Sequence, residues 1–249
     1  MLIWGLSWLY SHQLKGKNDD WLYELIMSTN HDQRPVHQNK LSKYFINTYQ
    51  IKTYQTQIAL RKIMSLTPSA MLPLGSKAPD FNLLEPKTGV SKSLQQLKGK
   101  KATVVMFICN HCPFVIHIEQ ALTQLGRDYH NSEVAVIAIS ANDANSYHED
   151  GPEYMAKKAI AQDYRFPYLY DESQLTAKAY KATCTPDFFL FDQELSCVYR
   201  GQFDDSRPGN NKKVTGNDLR QAIYNVVTGQ AIDEKQYPSI GCNIKWKTA

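Results

Sequence analysis

Two cysteines separated by two residues are the part of the sequence best suited to chemistry. Cys109 and Cys112 enclose Asn110 and His111, after an apolar run and before a helix-like pattern. A strand that leads directly into a helix places its last residues at the helix N-terminus, where unpaired N–H groups and the helix dipole favour an anion. A cysteine there acquires a lowered pKa. We therefore predict a redox-active dithiol in which Cys109, expected to be the more exposed thiol, attacks and Cys112 resolves the mixed disulfide. A protonated His111 could stabilise the thiolate further.

The Thr-Pro dipeptide in ATCTPDFFLFD is the second candidate feature. Pro186 lies at the start of a predicted strand, where a trans proline would interfere with strand pairing. We therefore expect a cis bond between Thr185 and Pro186. Such a bend would expose backbone groups of Cys184 and Thr185, to which an extended substrate chain could add as a strand.

The elements that must position these residues follow from hydrophobic periodicity and turn residues. Short apolar runs predict buried strands, three- and four-residue spacing predicts helices, and two strands separated by a few polar residues predict an antiparallel hairpin. Ser173 is the expected cap of a short helix over 173–180. The predicted order is β-α-β-α-β-α-β-β-α, which makes an α/β fold with a central mixed sheet flanked by helices. The predicted strands are 102–108, 133–140, 166–171, 186–192 and 195–203, and the other helices start at 113, 152 and 217.

Composition divides the chain into two unequal parts. The 249 residues are 43% hydrophobic and 21% charged, which is ordinary for a globular protein. Residues 1–63 carry the whole net charge of +4, and the remainder is neutral, so no surface is predicted to bind nucleic acid by charge. We interpret residues 1–63 as a helical or disordered N-terminal extension and residues 64–249 as the functional domain. Whether the extension belongs to the functional protein is left open by the sequence. No apolar stretch is long enough to predict a stable membrane span.

The five cysteines do not form the framework of a small secreted domain. Their number is odd, so at least one thiol is unpaired within the chain, and a C-x-x-C among them favours an intracellular redox protein. A cytoplasmic location is therefore the expectation.

A strand, a C-x-x-C, a helix and a later Thr-Pro that opens a hairpin together resemble the thioredoxin-like superfamily. Further segments resemble its peroxiredoxin-related branch, the alkyl hydroperoxide reductase/thiol-specific antioxidant proteins or redoxins. The resemblance covers about residues 72–247. The segments that carry it are KAPDFNL, CNHCPFV, FPYLYDES, AKAYKATCTPDFFLFD, YRGQFDD and SIGCNIKWK.

This resemblance implies that the loop before Pro186 faces the dithiol, which makes Cys184 the expected third thiol of the site. It also implies a candidate role for Arg200, because peroxiredoxins place an arginine near their reactive cysteine. The sequence differs from both groups. Thr103 stands where thioredoxins have a buried aspartate, and Met106 stands three residues before Cys109, where peroxiredoxins would have a threonine before their reactive cysteine.

Three residues outside the dithiol have further interpretations. Cys242 lies on a C-terminal arm that could fold back over the site or pair with another subunit to give a homodimer, and a redox role is one interpretation of this thiol. Cys197 is expected in the core. Asp204 and its neighbours are expected in a solvated turn.

The resulting prediction is a thiol-disulfide oxidoreductase with antioxidant character. Its substrates would be disulfide-containing proteins or small hydroperoxides, and an external thiol reductant would reset the pair. No organic cofactor is needed, because the two thiols carry both electrons. The alternative is a zinc- or copper-binding protein that uses Cys109, Cys112 and a third ligand such as Cys184 or His117.

Overall fold

The computed structural model describes residues 66–248. The predicted extension, residues 1–63, lies outside the described residues. The strands are β1 (Thr67–Pro68), β2 (Asn82–Glu85), β3 (Val90–Ser93), β4 (Ala102–Phe107), β5 (Val134–Ser140), β6 (Tyr168–Tyr170), β7 (Cys184–Thr185), β8 (Asp187–Asp192), β9 (Cys197–Gly201) and β10 (Ile240–Asn243). The helices are α1 (Leu94–Leu97), α2 (Pro113–Asp128), α3 (Pro152–Ala161), α4 (Leu175–Ala179) and α5 (Asn217–Thr228), with a 3-10 turn at His148–Asp150.

Seven strands form a central mixed sheet in the order β3-β2-β6-β5-β4-β8-β9. The three inner strands β4, β5 and β6 run parallel, while β8 pairs antiparallel with both β4 and β9. A separate three-stranded sheet has the order β1-β10-β7. The central sheet confirms the predicted α/β class and the thioredoxin-like fold, whereas the small sheet was not predicted.

Strand β4 lies in the middle of the core, and all six of its residues are buried. Its side chains alternate between the two faces of the sheet, as expected for a strand. Val104 and Met106 pack in one apolar cluster together with residues of α2, α3 and α5. Val105 and Phe107 pack in the other cluster with residues of α1 and α4. Helices therefore cover both faces of the sheet, and β4 is held rigidly up to the residue where the cysteine loop begins.

The capping of α4 differs in part from the prediction. Gln174, with a φ of 62°, directly precedes the helix. Ser173 still serves as a capping group, because its Oγ accepts a hydrogen bond from the Leu175 N–H at 3.2 Å. Asp171 Oδ2 accepts a second one from the Ala177 N–H at 2.8 Å.

The prediction of a solvated Asp204 is wrong. Only 2% of it is exposed, and its carboxylate accepts hydrogen bonds from the backbone of Ser206 and Gly216. No helix within residues 66–248 combines the length and apolarity needed to cross a bilayer.

Candidate redox-active site

The CNHC loop joins the end of β4 to the start of α2. Pro113 occupies the first turn of α2, where its missing N–H costs no hydrogen bond, and Cys112 is the residue that precedes the helix. Cys112, rather than Cys109, therefore lies at the positive end of the helix dipole. Both thiols are buried: Cys109 is 1% exposed and Cys112 is 0% exposed. The expectation that Cys109 would be the more accessible thiol is wrong, because the loop is covered by the segments that pack on it.

Thr185 holds the two cysteines from the opposite side. Its hydroxyl oxygen lies 3.4 Å from Cys109 Sγ, and its backbone carbonyl accepts a hydrogen bond from Cys112 Sγ at 3.1 Å. The Thr185–Pro186 bond is cis, as predicted. The structure therefore brings together Cys109, Cys112, Thr185 and Pro186.

The electrostatics of the two thiols differ. Hydrogen bonds from Cys109 and Cys242 lower the pKa of Cys112 far below that of a free cysteine. Burial raises the pKa of Cys109, and its contact with Cys112 raises it further. The two shifts have opposite directions, so a thiolate on Cys112 and a protonated Cys109 are the favoured states of the pair. Cys112 is therefore a candidate for the attacking thiol beside Cys109, which the sequence had suggested.

A buried carboxylate fixes the loop between the cysteines. Asp150 is fully buried, and its Oδ1 accepts hydrogen bonds from the backbone N–H groups of Asn110 (2.7 Å) and His111 (3.3 Å). Its Oδ2 lies 2.6 Å from His111 Nδ1 and accepts a hydrogen bond from Asn142 Nδ2 at 2.8 Å. Two backbone groups of the loop and one of its side chains therefore depend on a single residue.

His111 is a constrained side chain rather than a solvated one. Its ring stacks on Tyr147, with the ring centroids 5.0 Å apart. Burial acts to lower the pKa of His111, but the hydrogen bond and the charge of Asp150 outweigh it and the pKa is raised. The charge of Cys112 adds to this rise. The raised pKa favours the cationic form of His111 beside the cysteine loop, and its support of a thiolate stays a prediction.

The predicted docking edge beside Pro186 is occupied by the chain itself. Strand β7 pairs antiparallel with β10, which places Cys242 opposite Thr185 and Asn243 opposite Cys184. The expectation that the backbone of Cys184 and Thr185 would be open to a substrate strand is therefore wrong. Cys242 is 7% exposed, and its thiol hydrogen-bonds to Cys112.

Cys184 is close to the pair but turned away from it. Its thiol points toward the Pro186 carbonyl, with the sulfur 3.7 Å from the oxygen, and burial raises its pKa. Cys242, rather than Cys184, is thus the third thiol that lies beside Cys112. A catalytic role for Cys184 stays a prediction.

The structure also places two other residues that the sequence analysis named, and the catalytic role of Arg200 stays a prediction. Arg200 on β9 donates from its backbone N–H and from Nη1 to Gln236 Oε1, at 2.9 Å in both cases. Cys197 is 1% exposed and packs in the core, as predicted.

Sequence reasoning missed Asp150 altogether. It precedes Gly151 and Pro152 in an unremarkable helix-start pattern, and no spacing relates it to the cysteines.

One group among the described residues has the geometry of a metal site. Ligand atoms of Cys109, His111 and Asp150 lie within 4.8 Å of one another. This is not the predicted set, which combined both cysteines with Cys184 or His117. Both carboxylate oxygens of Asp150 already accept hydrogen bonds from the loop and from Asn142. A metal would have to displace those bonds, so the donor set fits a hydrogen-bonded loop better than a metal.

The fold and the site together define a thioredoxin-fold protein with a buried dithiol. A model of the AhpC/TSA family matches residues 74–200, so the chain belongs to that family. This membership supports a redox function.

Two solved structures are similar over most of the domain. An uncharacterized conserved protein from Geobacillus kaustophilus is 52% identical, with a TM-score of 0.73, and the match covers 74% of this chain and 97% of that one. A hypothetical protein from Sinorhizobium meliloti 1021 is 48% identical, with a TM-score of 0.72, over 74% of this chain and 100% of its own. A search of curated proteins gave no significant match.

Proposed function

We propose that the protein is a thiol-disulfide oxidoreductase that reduces disulfides or hydroperoxides through Cys109 and Cys112. The observation that carries this proposal is the pairing of the two thiols at the start of α2, where Cys112 has a lowered pKa and Cys109 a raised one. A thiolate beside a protonated thiol is the arrangement that thiol-disulfide exchange requires.

Each residue of the site has a role in this proposal. Cys112 attacks the sulfur or oxygen of the oxidant, and Cys109 then closes the intramolecular disulfide. The Thr185 hydroxyl lies beside Cys109 Sγ, and the Thr185 carbonyl accepts a hydrogen bond from Cys112 while that thiol is protonated. His111, held by Asp150, supplies positive charge near the thiolate. An external thiol reductant restores the pair, and no organic cofactor takes part.

The alternative is zinc or copper binding. The redox function is favoured because the Asp150 carboxylate is already used by four hydrogen bonds that shape the loop. Metal analysis of protein purified under reducing conditions tests the choice. Tightly held, stoichiometric zinc would reverse this preference, and a metal content far below one per chain would support the redox function.

The direct test compares hydrogen peroxide consumption and insulin reduction in the full-length protein with dithiothreitol as reductant. The variants are Cys112→Ser and Cys109→Ser, with Cys197→Ser as the control because Cys197 is a buried core cysteine on β9. We expect Cys112→Ser to abolish activity and Cys197→Ser to retain it. Absence of both activities in the wild type, or full activity in Cys112→Ser, would overturn the proposal.

A further inference from the structure

Strand β10 occupies the position that an added substrate strand would take. It pairs antiparallel with β7 at the residues just before Pro186, with Cys242 opposite Thr185. In strand addition, main-chain hydrogen bonds hold the added segment and alternate side chains reach the site. Here the segment that does so belongs to the same chain.

Several contacts fix β10 in this position. Strand β1 pairs with its other edge, matching Thr67 with Gly241. Beyond β10 the Ile244 N–H donates to the Thr183 carbonyl at 3.0 Å. Gly241 packs so closely on β7 that a Cβ atom at this position would lie 2.0 Å from the Thr185 carbonyl oxygen. The strand is therefore a built-in part of the site.

This pairing brings three sulfurs to one residue. Thr185 contacts Cys109 through its hydroxyl and Cys112 through its carbonyl, and it stands opposite Cys242 in the ladder. Cys109, Cys112 and Cys242 all belong to the same buried cluster. Cys109 and Cys242 both lower the pKa of Cys112, which places both thiols beside it. Cys112 is thus the central sulfur of the group.

We propose that β10 acts as an internal substrate strand and that Cys242 is a second resolving thiol, which forms a disulfide with Cys112. This inference rests on the proposed function and extends it to a third redox cysteine. Cys242 reaches Cys112 from the C-terminal strand, whereas Cys109 reaches it from the same loop. The centre therefore has two alternative disulfides that share one sulfur.

The reaction with a hydroperoxide, ROOH, takes place in two steps. The Cys112 thiolate attacks the peroxide, the O–O bond breaks, and with one proton from solvent the products are ROH and a sulfenic acid on Cys112. The Cys242 sulfur then attacks the sulfenic sulfur, so that the S–S bond forms and the S–O bond breaks. The hydroxyl leaves with the thiol proton of Cys242 as water. An external dithiol later returns the two electrons and regenerates both thiols.

Disulfide mapping tests this assignment, because the sequence separates the two products. Cleavage after lysine and arginine leaves Cys109 and Cys112 on one peptide, residues 102–127, and Cys242 on another, residues 236–245. A Cys109–Cys112 bond stays within one peptide, whereas a Cys112–Cys242 bond joins two.

The experiment treats the full-length Cys109→Ser variant with one equivalent of hydrogen peroxide, blocks free thiols, digests and identifies the peptides by mass spectrometry. We expect the 102–127 peptide to be joined to 236–245, and the joined species to disappear in a Cys109→Ser/Cys242→Ser variant. Cys109→Ser/Cys197→Ser is the matched control and should keep it. Cys109→Ala serves in place of the serine variant if that variant does not fold.

Cys112 recovered as a sulfenic or sulfinic acid or as a free thiol in folded Cys109→Ser, without any joined peptide, would overturn the inference. That result is distinct from failure of the proposed function, which would appear in the wild type as no peroxide consumption and no bond between Cys109 and Cys112.

Discussion

Replacement of Gly241 by alanine should displace β10 from the redox site. The new Cβ would lie 2.0 Å from the Thr185 carbonyl oxygen and 2.6 Å from its carbonyl carbon, whereas ordinary contact begins at 3.4 Å. Both close atoms are backbone, so no side chain can rotate away, and the strands must separate by about 1.4 Å. Overpacking and weakened ladder hydrogen bonds together should cost about 2–3 kcal/mol of unfolding free energy. For a domain of this size that loss corresponds to a Tm lower by about 4–12 °C.

Two measurements are made on separate samples. Thermal unfolding of the reduced protein gives the Tm, and peroxide treatment of the folded protein followed by disulfide mapping gives the yield of each disulfide. Gly241→Ala should lower the Tm and reduce the yield of the Cys112–Cys242 bond several-fold, while the Cys109–Cys112 bond still forms. Asn243→Ala is the matched control, because Asn243 lies on the same strand with an exposed side chain. That control should shift the Tm by less than about 3 °C. A Gly241→Ala protein with wild-type Tm and wild-type disulfide yields would refute the close approach of β10 and β7.

Three further predictions concern charged groups near the site. Burial raises the pKa of Asp187 to about 8, so the folded protein holds this proton more tightly than the unfolded chain, whose aspartates titrate near about 4. The stability from this group is complete below about pH 4 and is lost as the pH rises toward about 8. Between about pH 5 and about pH 8, the free energy of unfolding measured with urea should therefore fall by about 2–4 kcal/mol more in the wild type than in Asp187→Asn. Equal pH slopes in the two proteins would contradict this. His111→Gln removes a cation beside Cys112, so alkylation of Cys112 at mildly acidic pH should be several-fold slower, and an unchanged rate profile would show that the histidine does not support the thiolate. Asp150→Asn places an amide among the donors of the CNHC loop and should cost about 2–4 kcal/mol of unfolding free energy, which chemical denaturation measures; a loss below about 0.5 kcal/mol would argue against the role of Asp150 in holding the loop.

The dithiol was predictable because its determinants are local. An apolar strand run, a C-x-x-C and a proline in the next turn place the cysteines at the start of a helix whatever the rest of the chain does. The cis bond at Pro186 was predictable for the same reason, since strand pairing on both sides of the residue constrains its backbone. Periodicity likewise predicted the central strands and the long helices, whose faces must meet a common core.

The choice of neighbours around the dithiol was decided by tertiary structure. Asp150 meets the CNHC loop, and Cys242 meets Cys112, only after distant parts of the chain pack together. No local pattern encodes such contacts, because a buried carboxylate or thiol is specified by the groups that surround it in space. The same packing closed the edge beside Pro186 with β10 and buried both thiols. The sequence by itself therefore determined that a C-x-x-C lies between a strand and a helix, while the fold determined which distant groups, Asp150 and Cys242, lie against it.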